Sequence, residues 1–153
     1  MTLTTLRDLA RRIRGLDAEA SRLRSALEDL VAGVAPSMLA VSGLGAEGAA
    51  VLLIAAGDNP QRIRSEAAWA HLCGVAPIPA SSGKTIRHRL NRGGNRQANS
   101  VLYRIVITRM SSDPRTRTYV ASRRDQGRTT GEIVRMLKRY VAREVYKQLP
   151  HIN

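Results

Sequence analysis

The chain has little cysteine, no long apolar run and no apolar N-terminal segment, and each of these absences excludes a class of protein. Its single cysteine, Cys73, excludes an intramolecular disulfide and a zinc site built from several cysteines. We expect Cys73, which lies among alanine, leucine and valine, to be a buried structural thiol. The longest apolar run, Ala49 to Ala56, is far too short to span a bilayer, and the N-terminus lacks the core of a signal peptide. We therefore expect a cytoplasmic protein with no membrane partner.

Acidic residues are scarce in the second part of the chain. The 153 residues include 25 lysines and arginines against 12 acidic residues, which gives a formal net charge of +13. The first 57 residues contain six arginines and six acids, so the whole excess lies after residue 57. Only three of the bases are lysines, and arginine's planar guanidinium is the better bidentate phosphate ligand. The charge predicts salt-sensitive binding to nucleic acid.

Carboxylates are too scattered to predict a metal site. Asp58, Glu66, Asp113 and Asp125 are widely separated, and two of them occupy positions typical of helix caps or turns. The sequence therefore predicts no metal ligand and no cofactor in this chain.

An acid-free stretch from Ser81 to Arg109 contains the most distinctive chemistry. Two serines, Ser81 and Ser82, precede Gly83, where the backbone can turn sharply or approach a ligand. A glycine pair, Gly93-Gly94, leads into an apolar-periodic segment that predicts a helix. The cations of the first part of the stretch are Lys84, Arg87, Arg89, Arg92 and Arg96. This pattern suits a polyanion backbone, although on pattern alone such a serine pair is more often non-catalytic.

The N-terminal segment predicts one long helix from Thr5 to Val31, ended by Gly33 and Pro36. Apolar residues recur every three or four positions: Leu6, Leu9, Ile13, Leu16, Ala20, Leu23, Leu27 and Leu30. A narrow seam of about four heptads must pair with another helix. We expect an intermolecular coiled coil in preference to a hairpin with another part of the same protein.

The next segment matches a helix-hairpin-helix pattern. A short helix after Pro36 is followed by the turn Gly43-Leu44-Gly45 and a second helix from Ala46 to Ala56. In such a motif the backbone N–H groups of Gly43 and Gly45 would face a DNA phosphate at a helix N-terminus. An ordinary turn between two core helices explains the pattern equally well.

Four further helices follow, each with a recognisable start. Ser65 caps a helix that Gly74 closes, Asn95 caps one that runs to about Met110, and Asp113-Pro114 starts another. Thr129 or Thr130 caps the last helix. Trp69 is predicted to lie in the core.

These patterns predict an all-α protein, because no alternating strand pattern is present. Its two parts are a coiled-coil or dimerisation helix, residues 1–34, and a helical domain, residues 35–153. The domain contains the helix-hairpin-helix-like element, 36–57, and the basic Ser-Ser-Gly loop, 75–94.

From about Val41 to Tyr146 the chain resembles the C-terminal transposase domain of bridge-RNA-guided insertion-sequence transposases, the IS-one-ten and IS-eleven-eleven group, of the DEDD-plus-serine type. The motifs that carry the resemblance are Gly43-Leu44-Gly45, Leu72 to Pro77, Ser81-Ser82-Gly83, Leu90 to Arg96 and Asp113-Pro114, followed by the terminal helix. Their order and spacing are more specific than any one of them. The N-terminal helix is similar to the coiled-coil segment that precedes this domain in the family.

The resemblance implies DNA recombination by a serine nucleophile. In the family a serine of the Ser-Ser-Gly loop attacks a DNA phosphodiester and forms a phosphoserine linkage, which implies Ser82 here, with Ser81 as the alternative. A RuvC-like half with acidic ligands, where Mg²⁺ is expected, completes a composite site between protomers, and a structured guide RNA selects the DNA. The cations at Lys84, Arg87, Arg89, Arg92 and Arg96 would neutralise the phosphate.

Two departures from the family pattern limit what the resemblance implies. The acidic half is absent from these 153 residues, so we expect this chain to bind DNA or RNA without recombining DNA alone. Asn91 and Arg92 stand where family members commonly have Ser and Lys of an Ile-Ser-Lys-x-Gly motif. The alternative functions are a non-catalytic nucleic-acid-binding module and a dimerisation scaffold built on the helix Thr5 to Val31.

Overall fold

The computed structural model of the protein describes residues 2–57, 63–79, 88–89 and 91–150. Within these ranges the chain forms seven helices and one short ladder, which confirms the all-α prediction and the long N-terminal helix. The helices are α1 (Leu3–Val34), α2 (Pro36–Leu39), α3 (Ala46–Ala56), α4 (Glu66–Leu72), α5 (Arg96–Ser112), α6 (Pro114–Asp125) and α7 (Thr130–Tyr146). The strands are β1 (Ile78–Pro79) and β2 (His88–Arg89).

α1 is a few residues longer than predicted at each end. Its start is capped by Thr2, whose hydroxyl accepts a hydrogen bond from the Thr5 N–H. Gly33 lies inside the helix instead of ending it, and Pro36 begins α2. Val31 is the buried residue of α1, because the helix packs on α2 and α3 only near its C-terminus. Most of the apolar seam of α1 is therefore exposed within this chain.

The predicted N-caps of four helices are confirmed. The side chains of Ser65, Asn95, Asp113 and Thr129 each accept a hydrogen bond from the backbone N–H three residues on. Thr129 is the cap of α7, and the Glu132 carboxylate accepts a hydrogen bond from the Thr129 N–H, which completes a capping box. Local side-chain chemistry thus fixes where α4, α5, α6 and α7 begin.

The core is organised around α5, which packs against α3, α6 and α7, while α4 packs against α7. The buried side chains of α5 recur at three- and four-residue spacing: Ala98, Val101, Leu102, Ile105 and Val106. Trp69 and Cys73 are fully buried, as the sequence predicts, and burial raises the pKa of the Cys73 thiol to about 12. No helix in the described ranges is long and apolar enough to cross a membrane.

The β1–β2 ladder is the one regular element that the sequence does not predict. Ile78 pairs with Arg89 and Pro79 with His88 in antiparallel register. Pro79 is compatible with this ladder, because proline is tolerated in an edge strand. A two-residue ladder is too short to produce an alternating pattern, so only the pairing itself reveals it.

Candidate nucleic-acid interface

The ladder marks where the serine-bearing segment joins the folded domain. Because Pro79 and His88 are paired, the two ends of the segment between them lie side by side. The predicted site residues that lie outside the described ranges are Ser81, Ser82, Lys84 and Arg87. For Arg89 the structure gives the backbone, which belongs to β2.

The loop after the ladder is fixed against the C-terminal end of α4. We call this loop, residues 91–95, the clasp. The Asn91 side chain donates to the carbonyl of His71 at 3.2 Å and accepts from the Gly93 N–H at 3.0 Å. The Asn95 N–H donates to the carbonyl of Leu72 at 2.6 Å, and the Asn95 side chain caps α5. These bonds position the start of α5 relative to the end of α4.

Gly94 brings the clasp into direct backbone contact with the end of α4. A Cβ added to Gly94 would lie 2.3 Å from the Gly74 nitrogen and 2.4 Å from the Gly74 Cα. Gly74 itself has φ of +67°, which glycine adopts without strain. Gly94 is thus required for the close approach of the two backbones, and Gly74 for the left-handed turn.

A part-buried polar contact beneath the clasp connects it to α7. The Asn99 amide donates to the carbonyls of Cys73 and Gly74, at 2.8 and 3.3 Å. The Lys138 ammonium donates to the Asn99 side-chain oxygen at 2.9 Å. Partial burial, with a smaller contribution from the charge of Arg135, lowers the pKa of Lys138. The sequence patterns did not predict a role for Asn99 or Lys138. The signals that could have indicated them are the position of Asn99, a polar residue one turn after the α5 cap, and the occurrence of Lys138 as a lysine among arginines.

Two exposed arginines lie in the clasp and at the start of α5. Arg92 lies within the clasp and Arg96 is the first residue of α5, and both side chains are exposed. Neither has an acidic partner among the residues that the structure describes. Lys138 is linked to the clasp through Asn99, and Arg135 is close enough to influence its pKa. The described part of the predicted cationic site is therefore Arg92 and Arg96, and Lys138 of α7, which was not predicted, is linked to it through Asn99.

The Gly43-Leu44-Gly45 turn is exposed but closely packed on α5. Leu44 is buried, and a Cβ on Gly43 would lie 3.5 Å from Ile105. The Arg109 Nε donates to the carbonyl of Ser42 at 2.8 Å. Gly45 precedes α3 and has open space around it. The four-residue α2, this turn and α3 follow one another in the predicted order.

The first turn of α3 also carries an acid. Glu47 lies there and pairs with Arg104 at 3.5 Å. A carboxylate at a helix N-terminus interacts favourably with the same dipole that would attract a phosphate. Gly43 and Gly45 thus remain predicted backbone contacts that the geometry does not distinguish from an ordinary turn.

The described residues contain no group of three or more histidine, cysteine or acidic side chains placed to hold a metal ion. Several of their acids form ion pairs or helix caps instead, such as Glu66, which pairs with Arg143 at 2.8 Å between α4 and α7. The site that the described residues build is therefore cationic.

A family model of transposases, the Transposase IS116/IS110/IS902 family, matches residues 35–121. The chain belongs to this family. The match begins where α1 ends and includes the ladder and the clasp of this transposase domain.

A curated relative supports the same assignment. The uncharacterized 43.6 kDa protein of insertion element IS110 from Streptomyces coelicolor is 32% identical over 111 residues. That alignment covers 71% of this chain and 27% of the relative. The transposase domain described here thus corresponds to about a quarter of the relative's length.

Proposed function

We propose that this chain is the serine-carrying, nucleic-acid-binding part of an insertion-sequence transposase. The Oγ of Ser82, or alternatively of Ser81, attacks the phosphorus of a DNA phosphodiester. The Oγ–P bond forms while the bond from phosphorus to one sugar oxygen breaks; the serine loses its proton and the released sugar oxygen gains one. Attack by the hydroxyl of a second strand reverses the linkage and completes strand exchange.

The observation that carries this proposal is the fixed position of the clasp beside the ladder in a chain of this family. Both ends of the serine-bearing segment meet at β1 and β2, and the clasp follows directly. Arg92 and Arg96 are exposed there without acidic partners among the described residues. Guanidiniums held in this way stabilise the charge that develops on a phosphate during transfer. Lys84, Arg87 and Arg89 contribute further positive charge to the same site.

A serine hydroxyl needs activation, and the described residues provide no acidic cluster for it. We therefore assign no metal-dependent step to this chain. The Mg²⁺ ligands belong to a RuvC-like part of the same transposase, and a structured guide RNA selects the DNA. The chain alone binds nucleic acid without exchanging strands.

Covalent capture tests the serine assignment. A DNA substrate with a bridging phosphorothiolate is incubated with the chain and with the RuvC-like part supplied as a second polypeptide, and the covalent adduct is measured by denaturing electrophoresis. We expect Ser82→Ala to abolish the adduct while Ser81→Ala preserves it. Ser100→Ala, at an exposed serine of α5, is the control.

Each remaining outcome has a defined meaning. Loss of the adduct in Ser81→Ala alone assigns the reaction to the alternative serine. An adduct that survives the double serine variant contradicts the proposal. An adduct that forms without either serine does not come from these hydroxyls. If the double variant also binds DNA normally while Arg92→Ala binds DNA weakly, the chain is a non-catalytic nucleic-acid-binding module.

We also propose that α1 pairs with α1 of a second copy as a parallel coiled coil. Seam residues of α1 remain exposed, including Leu9 at 50%, Ile13 at 58% and Leu23 at 57%. Their spacing defines a heptad with Leu6 and Ile13 at position a, and with Leu9 and Leu23 at position d. Burial of this seam against an identical seam removes apolar surface from water, which favours association.

The charges that flank the seam indicate the orientation of the pair. In a parallel pair in register, position g of one helix lies beside position e of the next heptad in the other. Arg12 then faces Asp17, and Glu19 faces Arg24, so both charged contacts are attractive. A fully overlapping antiparallel pair would instead place Asp17 near its own copy and Glu19 near its own copy. The seam supplies the affinity and these contacts select the register.

A further inference from the structure

A second concave site lies away from the clasp, between α5, α6 and α7. It is a cavity of about 390 Å³, within the size range of small-ligand pockets. Its apolar lining includes Val106 and Leu137, and its aromatic lining is Tyr119 and Tyr140. Val106 is eleven residues after Asn95, which places the cavity roughly 16 Å along α5 from the clasp. Nothing in the proposed strand-exchange chemistry uses this cavity.

The two tyrosines form an aromatic wall with a polar end. Their rings meet edge to face, with centroids 5.9 Å apart and an interplanar angle of 84°. Tyr140 is 49% exposed, whereas the Tyr119 hydroxyl is buried and has no hydrogen-bond partner among the described residues. The guanidinium of Arg123 lies 4.9 Å from the Tyr119 ring centroid. A flat ligand fits beside such a wall, because it can stack on the exposed ring of Tyr140.

The charges around the cavity favour one phosphate at its edge and a neutral group inside. Arg109 is already engaged, since it makes a bidentate contact to Glu144 at 2.7 and 3.0 Å and a bond to Ser42. Arg115 is exposed and has no acidic partner among the described residues. Asp113 is engaged as the cap of α6. One uncommitted guanidinium beside an aromatic and aliphatic interior does not make a polyphosphate site.

We propose that this cavity binds an unpaired nucleobase of single-stranded DNA or RNA, with a flanking phosphate at Arg115. A base within a duplex is stacked on both faces, so only an unpaired base can enter a pocket of this kind. Stacking on aromatic side chains is the common way in which proteins hold unpaired bases without reading their sequence. The inference rests on the proposed nucleic-acid function and adds to it a site for displaced or looped strands.

Fluorescence anisotropy with the full chain tests the inference. The probes are a labelled deoxythymidine oligonucleotide, the same backbone with abasic sites, and a labelled duplex. We expect Tyr140→Ala to weaken binding of the single strand about 10-fold and to leave duplex binding unchanged. Tyr103→Ala is the matched control, because Tyr103 is 48% exposed on α5 and lies outside the cavity lining.

Two further variants test the aromatic wall and the phosphate contact. Tyr119→Phe keeps the ring and removes a buried hydroxyl that has no partner among the described residues, so we expect unchanged binding of the single strand with an unchanged melting temperature or a higher one. Arg115→Ala should reduce the salt dependence of single-strand binding by about one phosphate contact. Thermal melting of every variant checks that the fold is retained.

The outcomes distinguish this inference from the proposed function. Equal affinity for the normal and the abasic oligonucleotide would overturn the base pocket and leave the nucleic-acid function intact. The base pocket would also be overturned, with the nucleic-acid function intact, if Tyr140→Ala lost equal affinity for the single strand and for the duplex. If the unaltered chain binds none of the probes, the proposed function itself fails.

Discussion

At the scale of single residues, Gly93 and Gly94 are neighbours in the sequence but have different surroundings. Gly94 lies against the backbone of Gly74, whereas the nearest atom to an added Cβ on Gly93 is 3.6 Å away. The sequence predicts a glycine-rich turn at both positions without distinguishing them. The distinction arises from the end of α4, about twenty residues earlier in the chain, because Gly74 lies there.

We expect Gly94→Ala to destabilise the protein by about 1–3 kcal/mol or more, because a Cβ there meets backbone atoms that cannot move independently. Chemical denaturation measures this change in the free energy of unfolding. Gly93→Ala is the matched control and should lie within about 0.5 kcal/mol of the parent. Equal stabilities of the two variants would show that the clasp does not require the close approach to α4.

At the scale of elements, the helix starts are fixed by caps that also respond to pH. Asp113 and Glu132 are bonded at the starts of α6 and α7. The hydrogen bonds from Thr116 lower the pKa of Asp113 below its ordinary 3.8, and those from Thr129 lower the pKa of Glu132 below its ordinary 4.5. Since both carboxyls have a lower pKa in the folded state, their stabilising effect is complete above about pH 4.5 and is lost as the pH falls through the folded-state values.

We expect the melting temperature of the parent to fall below about pH 4 more steeply than that of the double variant Asp113→Asn/Glu132→Gln. Asparagine still caps a helix but does not titrate, so part of the acid sensitivity disappears. Calorimetry between about pH 7 and pH 3 measures the two slopes. Asp125→Asn, at the other end of α6, is the control. Parallel curves for parent and double variant would contradict the assignment.

The charges beside the α1 seam give a second prediction at this scale. We expect Arg12→Glu to weaken the proposed dimer about 5- to 30-fold, because it places like charges against Asp17 in both symmetric contacts. The double variant Arg12→Glu/Asp17→Arg should restore association. Sedimentation equilibrium of the full chain measures the dissociation constant.

A matched control separates orientation from total charge. Arg14→Glu makes the same charge change one position beyond the seam residue Ile13, at position b of the heptad, and should have little effect. A chain that remains monomeric at every concentration would refute the proposed dimer and favour pairing of α1 with another part of the longer transposase.

At the scale of the whole molecule, positive charge is segregated from the N-terminal third. The first 57 residues are formally neutral, and the remainder carries the net charge of +13. α1 and α3 belong to the neutral part, while the clasp, α5 and α7 belong to the basic part. This division separates a predicted association surface from a predicted nucleic-acid surface in one small chain.

We expect Arg92→Ala to weaken duplex DNA binding a few-fold near 0.1 M salt and to reduce the slope of log K against log salt by about one. Arg22→Ala, at an exposed arginine of the neutral part, is the control and should leave the slope unchanged. Affinities measured over a series of salt concentrations give both slopes. An unchanged slope in Arg92→Ala would show that the clasp does not contact DNA.

By itself, the sequence determined the helices, their caps and the segregation of charge. These features depend on residues within a few positions of one another, such as Asn95 with Ala98 or Thr129 with Glu132. Only the tertiary structure decided that Gly94 touches Gly74, that Lys138 reaches Asn99, and that Tyr119 and Tyr140 line one cavity. Those contacts join residues about 20 or more positions apart, and no local pattern encodes which distant residue a side chain will meet.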